Sequence, residues 1–183
     1  MAESLAGKLL VATPDLGDPN FYRSVVFIVE HDDVEGVLGL VLNRPTEATV
    51  AEHLPRWHDV ASDPAVVFVG GPVTPDVAIG VVAAPGQPPE GWTPALGPVG
   101  LADLSGSPDD LGGVERCRVF AGYSGWVAGQ LEMELAIDSW FVVDADESDV
   151  FSDAPQDLWR TVLSRQPSRL SWLANYPPDP RLN

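Results

Sequence analysis

Short apolar blocks, rich in valine and leucine, recur along this chain and are cut apart by Pro, Gly, Asn and Asp. Blocks of that length between turn residues predict strands covered on both faces. The first is 8–13 (KLLVAT), stopped by Pro14-Asp15. Asp18-Pro19-Asn20-Phe21 predicts a turn or a single helical turn. A second strand is expected at 24–30 (SVVFIVE), and 37–42 (VLGLVL) returns after a hairpin-length loop at 31–36. Gly39 within it predicts a bulge or a close backbone approach. Asn43-Arg44-Pro45 ends this strand, and Thr46 or Thr49 is placed to cap a short helix reaching Leu54. Further strands are predicted at 65–69, which ends on Gly70-Gly71-Pro72, and at 77–83, 118–123 and 140–143. The proline-rich stretch 84–98 reads as an ordered surface loop, because neither side of it carries a complete core.

One helical stripe is clear. Leu158, Trp159, Val162 and Leu163 share a face, predicting a helix over 153–165 with Asp153 as cap, Pro155 in the first turn and Gln156 at the third position. Leu170, Trp172 and Leu173 then suggest a loosely docked tail. Strands come in clusters without a βαβ rhythm, so the fold class is α+β with a mostly antiparallel sheet.

The segment 122–140 (GYSGWVAGQLEMELAIDSW) is ambiguous. Leu131, Met133, Leu135 and Ile137 alternate with Glu132, Glu134 and Ala136, which reads as a strand with both glutamates facing water. Wound as a helix, Leu131 and Leu135 share one face, and Glu134 and Asp138 share another. Trp126 and Trp140 flank the segment and are expected to be buried, with Gln130 bonded to nearby backbone. Gly122, Gly125 and Gly129 are expected to permit close approach or positive φ.

At 183 residues the chain fits one domain. Its 27 acidic and 10 basic residues give a net charge of −17, with the basic residues scattered. Such a charge repels phosphate backbones and argues against direct nucleic-acid contact. Cys117 is the only cysteine, which excludes an intrachain disulfide and a thiolate cluster. The N-terminus starts acidic and its apolar run breaks at Pro14, unlike a signal peptide, and no stretch approaches the length of a membrane span. A soluble cytoplasmic protein without membrane contact is expected.

Most chemistries find no motif. Neither GxGxxG nor GxxxxGK[ST] occurs, and His31, His53 and His58 lack HExxH spacing. Glu30, His31, Asp32 and Asp33 read as solvated loop charges, so no metal or cofactor is assigned. Ser124 is followed two residues on by Trp126, where a nucleophile elbow needs Gly, and is read as a turn serine. Arg116 and Arg118 flank Cys117, but in a strand they point to the other face, leaving a buried, inert thiol. Gly70-Gly71-Pro72 offers either an amide nest for an anion or a plain turn, and the turn is favoured. The candidate ligand- or partner-binding residues are Asn43, Arg44, Gly70, Gly71, Trp126, Gln130 and Glu132. No residue is assigned as catalytic. Arg44 has the chemistry to clamp a carboxylate or phosphate.

GKLLVATPDLGDPNFYRSVVFIVEHDDVEGVLGLVLNRP near the N-terminus, VGGPV at 69–73, GYSGWVAGQLEMELAIDSWF at 122–141 and the following FSDAPQDLW together resemble the YqgE/AlgH family of bacterial proteins over residues 7–163. Members usually read GWGPGQLE, whereas Val127-Ala128 replaces Gly-Pro here. The resemblance implies a bifurcated sheet curling into a pseudo-barrel with flanking helices. It implies a helix at 130–137, adopted here over the strand alternation. It also implies one domain over 1–183, with 166–183 as a C-terminal extension. The family carries a transcriptional-regulator label but no agreed activity or catalytic residues. The expectation is a non-enzymatic regulatory or ligand-binding module that acts through a protein partner or a small molecule. The alternative is a small-molecule enzyme using Glu132 or Glu134 in acid–base chemistry near Arg44.

Overall fold

The computed structural model describes residues 3–86, 92–167 and 169–178. Ten strands form it: β1 (Lys8–Ala12), β2 (Val25–Asp32), β3 (Gly36–Val41), β4 (Pro45–Thr49), β5 (Val66–Val69), β6 (Val73–Ala83), β7 (Thr93–Leu96), β8 (Val99–Ala102), β9 (Arg116–Trp126) and β10 (Trp140–Asp144). They run antiparallel in the order β10-β1-β2-β3-β9-β6-β8-β7. The sheet forks at β9. Val119, Phe120 and Ala121 run parallel to β5, which carries β4, while Ser124, Gly125 and Trp126 pair with β3. The far strand β7 comes round towards β2, so the sheet curls into a half-barrel.

The strands are apolar throughout because both faces are covered. Leu9, Val11, Val25, Phe27, Leu40 and Leu42 point into the barrel interior. The alternate residues Leu10, Ala12, Val26, Ile28 and Val41 pack outward against Trp126, Leu131 and Trp140. A third cluster sets Cys117, Val119 and Val82 against Trp57. The helices are short: α1 (Val50–His53), α2 (Gln130–Ala136), α3 (Glu147–Val150), α4 (Leu158–Ser164) and α5 (Leu170–Leu173). Thr49 caps α1, its hydroxyl accepting from the Glu52 amide at 3.3 Å. Among the described residues no helix is long and apolar enough to cross a membrane.

Several expectations are corrected. β6 and β9 extend several residues beyond their predicted ends, because backbone pairing continues past the apolar run, while β1 and β5 are one residue shorter than predicted. β9 reaches Trp126, so Ser124 lies within a strand, not a turn. The region 84–98 is more than a loop. It holds β7, a short edge strand in which Pro94 is tolerated, and leads directly into β8. Part of that predicted loop, 87–91, lies outside the described residues. The helix expected from Asp153 begins later. A 3₁₀ turn at Pro155–Asp157 precedes α4, and Asp153 makes no cap. The stripe of Leu158, Trp159, Val162 and Leu163 is buried as expected.

The tail docks more firmly than expected. Leu170, Leu173 and Tyr176 pack on the interior core, although Trp172 is 75% exposed. The carbonyls of Tyr176 and Ala174 accept from Arg23 at 2.6 Å and from Arg160 at 3.1 Å. The bulge anticipated at Gly39 sits opposite it, in β2 between Ile28 and Glu30. Gly39 provides the close approach instead, since a Cβ there would lie 2.6 Å from a Val26 methyl.

Candidate functional site

Gln130–Ala136 forms α2, with Gly129 at φ +83° in the cap position. Winding these residues as a helix resolves the ambiguity of LEMELAI. Leu131 turns into the outer core, while Glu132 and Met133 face solvent. Glu134 turns back toward the flanking tryptophans. Its Oε2 accepts from Trp126 Nε1 at 2.9 Å and from Trp140 Nε1 at 2.8 Å. Its Oε1 accepts from Gln130 Nε2 at 3.1 Å, and Gln130 Oε1 accepts the Val127 amide at 3.2 Å. The two indoles meet edge to face at 6.0 Å, with Phe21 against both. Both tryptophans are buried, and Gln130 bonds the backbone as expected. A strand reading puts Glu134 in water. The helix makes it the common acceptor of two indole N–H groups that would otherwise be unmet.

Glu132 stays exposed. Its Oε1 lies 3.8 Å from His31 Nε2, and the imidazole Nδ1 accepts the Leu5 amide at 2.9 Å. The His31 side chain therefore ties the N-terminal segment to the hairpin and α2, a role its loop-like sequence context does not reveal.

Gly70 and Gly71 are required where chains cross. A Cβ on Gly70 would lie 2.3 Å from the Gly122 carbonyl oxygen, and one on Gly71 would lie 2.2 Å from the Tyr123 backbone. The Gly70 amide donates to Ala121 O at 2.9 Å, so it is not presented as an anion nest. The Gly70 carbonyl accepts from the Val41 amide at 2.9 Å and from the Ser124 hydroxyl at 3.1 Å. Gly122 has φ +71°, as expected. Gly125 needs neither positive φ nor close approach, since a Cβ there would meet nothing nearer than 3.5 Å.

Asn43 and Arg44 lie elsewhere. Asn43 Oδ1 accepts the Val25 amide at 3.0 Å and its Nδ2 donates to Arg23 O at 2.9 Å, locking the start of β2 to the end of β3. Arg44 donates to Tyr22 O and, at 3.2 Å, to Asn43 O. Both residues line a cavity with Arg23 and Arg160, and Arg44 also borders a small cleft with Gly71. Neither cavity includes Trp126, Glu132 or Glu134. Arg23 and Arg160 are members of this group that sequence reasoning missed.

The largest of the described cavities, about 410 Å³, lies between the β2–β3 hairpin and the end of β9, and the candidate residue Trp126 is part of its lining. Leu38 and Tyr123, packed on the interior core, contribute its floor together with Val127. Glu30, Asp32 and Glu35 stand at its rim, and no Lys or Arg lines it among the described residues. The Glu35 and Val34 amides donate to Asp32 and hold its carboxyl below the usual carboxylate range. Val127 places an exposed isopropyl group on this groove.

Two features of β9 are structural. Cys117 faces the third cluster, beside Trp57, and burial pushes its thiol up to about 12. Arg118 lies on the face opposite Cys117, as the alternation predicts, and it is buried. Its guanidinium lies 4.4 Å over the Phe68 ring and donates to the carbonyls of Ser152 and Asp63, both at 2.7 Å. Burial lowers its pKa to about 10.

The AlgH-like family matches residues 9–171. A UPF0301 protein of Streptomyces coelicolor is 50% identical over 186 residues, covering 98% of this chain and 96% of its own. One from Mycobacterium tuberculosis is 48% identical, covering 95% and 88%. Among solved structures, a Corynebacterium diphtheriae protein superposes with a TM-score of 0.87 at 30% identity, covering 96% of this chain and 94% of that one. The AlgH protein of Pseudomonas aeruginosa gives 0.69 at 30% identity, covering 97% and 96%. With this agreement in sequence and fold over nearly its whole length, the chain belongs to the AlgH-like family.

Proposed function

We propose that this protein is a non-enzymatic regulatory module of the cytoplasm that binds a basic segment of a protein partner. The observation that carries this reading is the groove of about 410 Å³, with Leu38, Tyr123 and Val127 beside Glu30, Asp32 and Glu35. An apolar floor takes the stem of a Lys or Arg side chain, and the acidic rim takes its charge. The net charge of −17 speeds encounter with a basic partner and repels nucleic acid, so any effect on transcription passes through that partner. The acid–base enzyme alternative has no comparable support. The Glu134 oxygens are held by Trp126, Trp140 and Gln130, and Arg44 lines cavities that exclude Glu132.

The test is fluorescence anisotropy with a labelled peptide of alternating Lys and Leu, run beside a labelled random DNA duplex. Peptide binding should weaken with salt and fall about tenfold in E30Q/E35Q. A control variant, E52Q/D76N, removes the same charge elsewhere and should retain it. Equal loss in both variants would reduce the effect to net charge and overturn the groove assignment. Micromolar binding of the duplex at about 50 mM salt would overturn the exclusion of DNA.

A further inference from the structure

We propose that the cavity between Arg23, Arg44 and Arg160 binds a small oxyanion, a phosphate or carboxylate group, at a site separate from the acidic groove. The chain has 10 basic residues against 27 acidic ones, and among the described residues three of the basic ones, Lys8, Arg116 and Arg165, hold a carboxylate partner. Arg23, Arg44 and Arg160 come from three separate parts of the chain, line one cavity of about 190 Å³, and form no ion pair among the described residues.

Neutral groups hold each of them in place. Arg23 donates to Tyr176 O at 2.6 Å and stacks 4.4 Å over the Trp159 ring. Arg44 holds the Tyr22 and Asn43 carbonyls. Arg160 Nε donates to Ala174 O at 3.1 Å. A guanidinium carries five N–H donors, and these bonds leave most of them open. Arg23 Nε is itself buried with no partner. Burial also lowers the Arg44 pKa below its ordinary value, a cost that a bound anion would offset. The backbone of Arg23 sits at φ +51°, a conformation disfavoured for a non-glycine residue. Asn43 fixes that turn by accepting from Val25 and donating to the Arg23 carbonyl, so it is a positioning residue here.

Three like charges held together repel one another, and an oxyanion among them converts that repulsion into charge-assisted hydrogen bonds. Asp157 also lines the cavity and forms no ion pair there, so it sets a limit on affinity rather than filling the site. The volume of about 190 Å³ is below the roughly 300–1,000 Å³ of drug-sized pockets, which suits a phosphate or short carboxylate rather than a nucleotide.

The experiment is isothermal titration of the full chain with sodium phosphate and with sodium succinate, at ionic strength held constant with sodium chloride. Saturable binding of either anion, absent with chloride, is expected, and the tighter of the two identifies the group. R160Q should weaken it at least tenfold. Arg160 is exposed on α4, so this variant retains the fold, which far-UV circular dichroism verifies. D157N should tighten it several-fold, and R56Q, altered at an arginine outside this cavity, should leave it unchanged. Absence of saturable binding, or equal binding by R160Q, would overturn the assignment. Peptide binding by the groove is scored separately in E30Q/E35Q, so failure of one reading leaves the other standing.

Discussion

Replacing Glu134 with alanine removes the one acceptor shared by two buried indoles. Trp126 and Trp140 donate to the same carboxylate oxygen at 2.9 and 2.8 Å. Each ring is only 4% exposed, so water reaches the freed N–H groups poorly. A hydrogen bond to a charged group contributes roughly 1.5–3 kcal/mol. Two bonds, discounted because the carboxylate itself is half-buried, give a loss of about 3–4 kcal/mol for Glu134→Ala. At about 2–4 °C per kcal/mol for a domain of this size, Tm should fall by about 6–16 °C. Glu134→Gln keeps an acceptor oxygen and loses the charge, so it should cost roughly a third as much. Urea unfolding followed by far-UV circular dichroism measures the loss, provided the slope m stays constant. A double-mutant cycle with Trp140→Phe, which keeps a buried ring but deletes the N–H, should show a coupling of about 1–2 kcal/mol. A Glu134→Ala variant within about 0.5 kcal/mol of the parent, or strict additivity in the cycle, would refute the shared-acceptor reasoning.

Arg118→Met should cost about 3–5 kcal/mol in the same assay, because it strands the Ser62, Asp63, Val150 and Ser152 carbonyls that one guanidinium serves. Arg118→Lys keeps the charge but not the fork, and should recover less than half of that loss. Cys117 should resist thiol reagents at pH 8 in the folded protein and react on unfolding, since burial holds its thiol protonated up to about 12. The same shift has a sign in stability. A folded pKa of about 12 against an ordinary 9.0 gives a contribution present in full below pH 9 and lost as pH rises towards 12. Cys117→Ala should flatten the fall in stability over that window, and an unchanged slope would show that the thiol does not drive it.

The fold was legible where burial leaves a periodic mark. The blocks around Leu9, Phe27, Leu40 and Phe68 are apolar because each lies in a sheet covered on two sides, and they read as strands at once. The Leu158–Leu163 stripe likewise announced α4. What failed to show was structure held by backbone pairing alone. β7 contains Pro94 and stands at the edge of the sheet, with nothing in its composition to mark a strand. The alternation in LEMELAI was compatible with a strand. Helix won there because Trp126 and Trp140 supply the acceptor-seeking partners that only Glu134 on a helical turn can reach.

The candidate site divides along the same physical line. Trp126 could be singled out because a costly residue type in a glycine-rich segment implies tight packing, and it is buried, while the exposed Gln130 makes the expected bond to nearby backbone. Asn43 and Arg44 could be singled out as polar groups at a strand end, but their partners could not. Arg23 and Arg160 belong to other elements, and nothing local distinguishes them from the arginines at 116 and 165 that pair with carboxylates. Among the described residues Arg56, Arg118 and Arg169 also form no ion pair, so the informative event is the convergence of three such arginines on one cavity. Pairing is a property of the folded chain, set by where β2, β3 and α4 meet, and no residue pattern encodes it locally. Three unpaired guanidiniums around one cavity therefore carry more functional weight than the acidic residues that dominate the composition. Solvated acids need no ligand to be stable, whereas converged cations without an ion-pair partner are at their most stable with an anion between them.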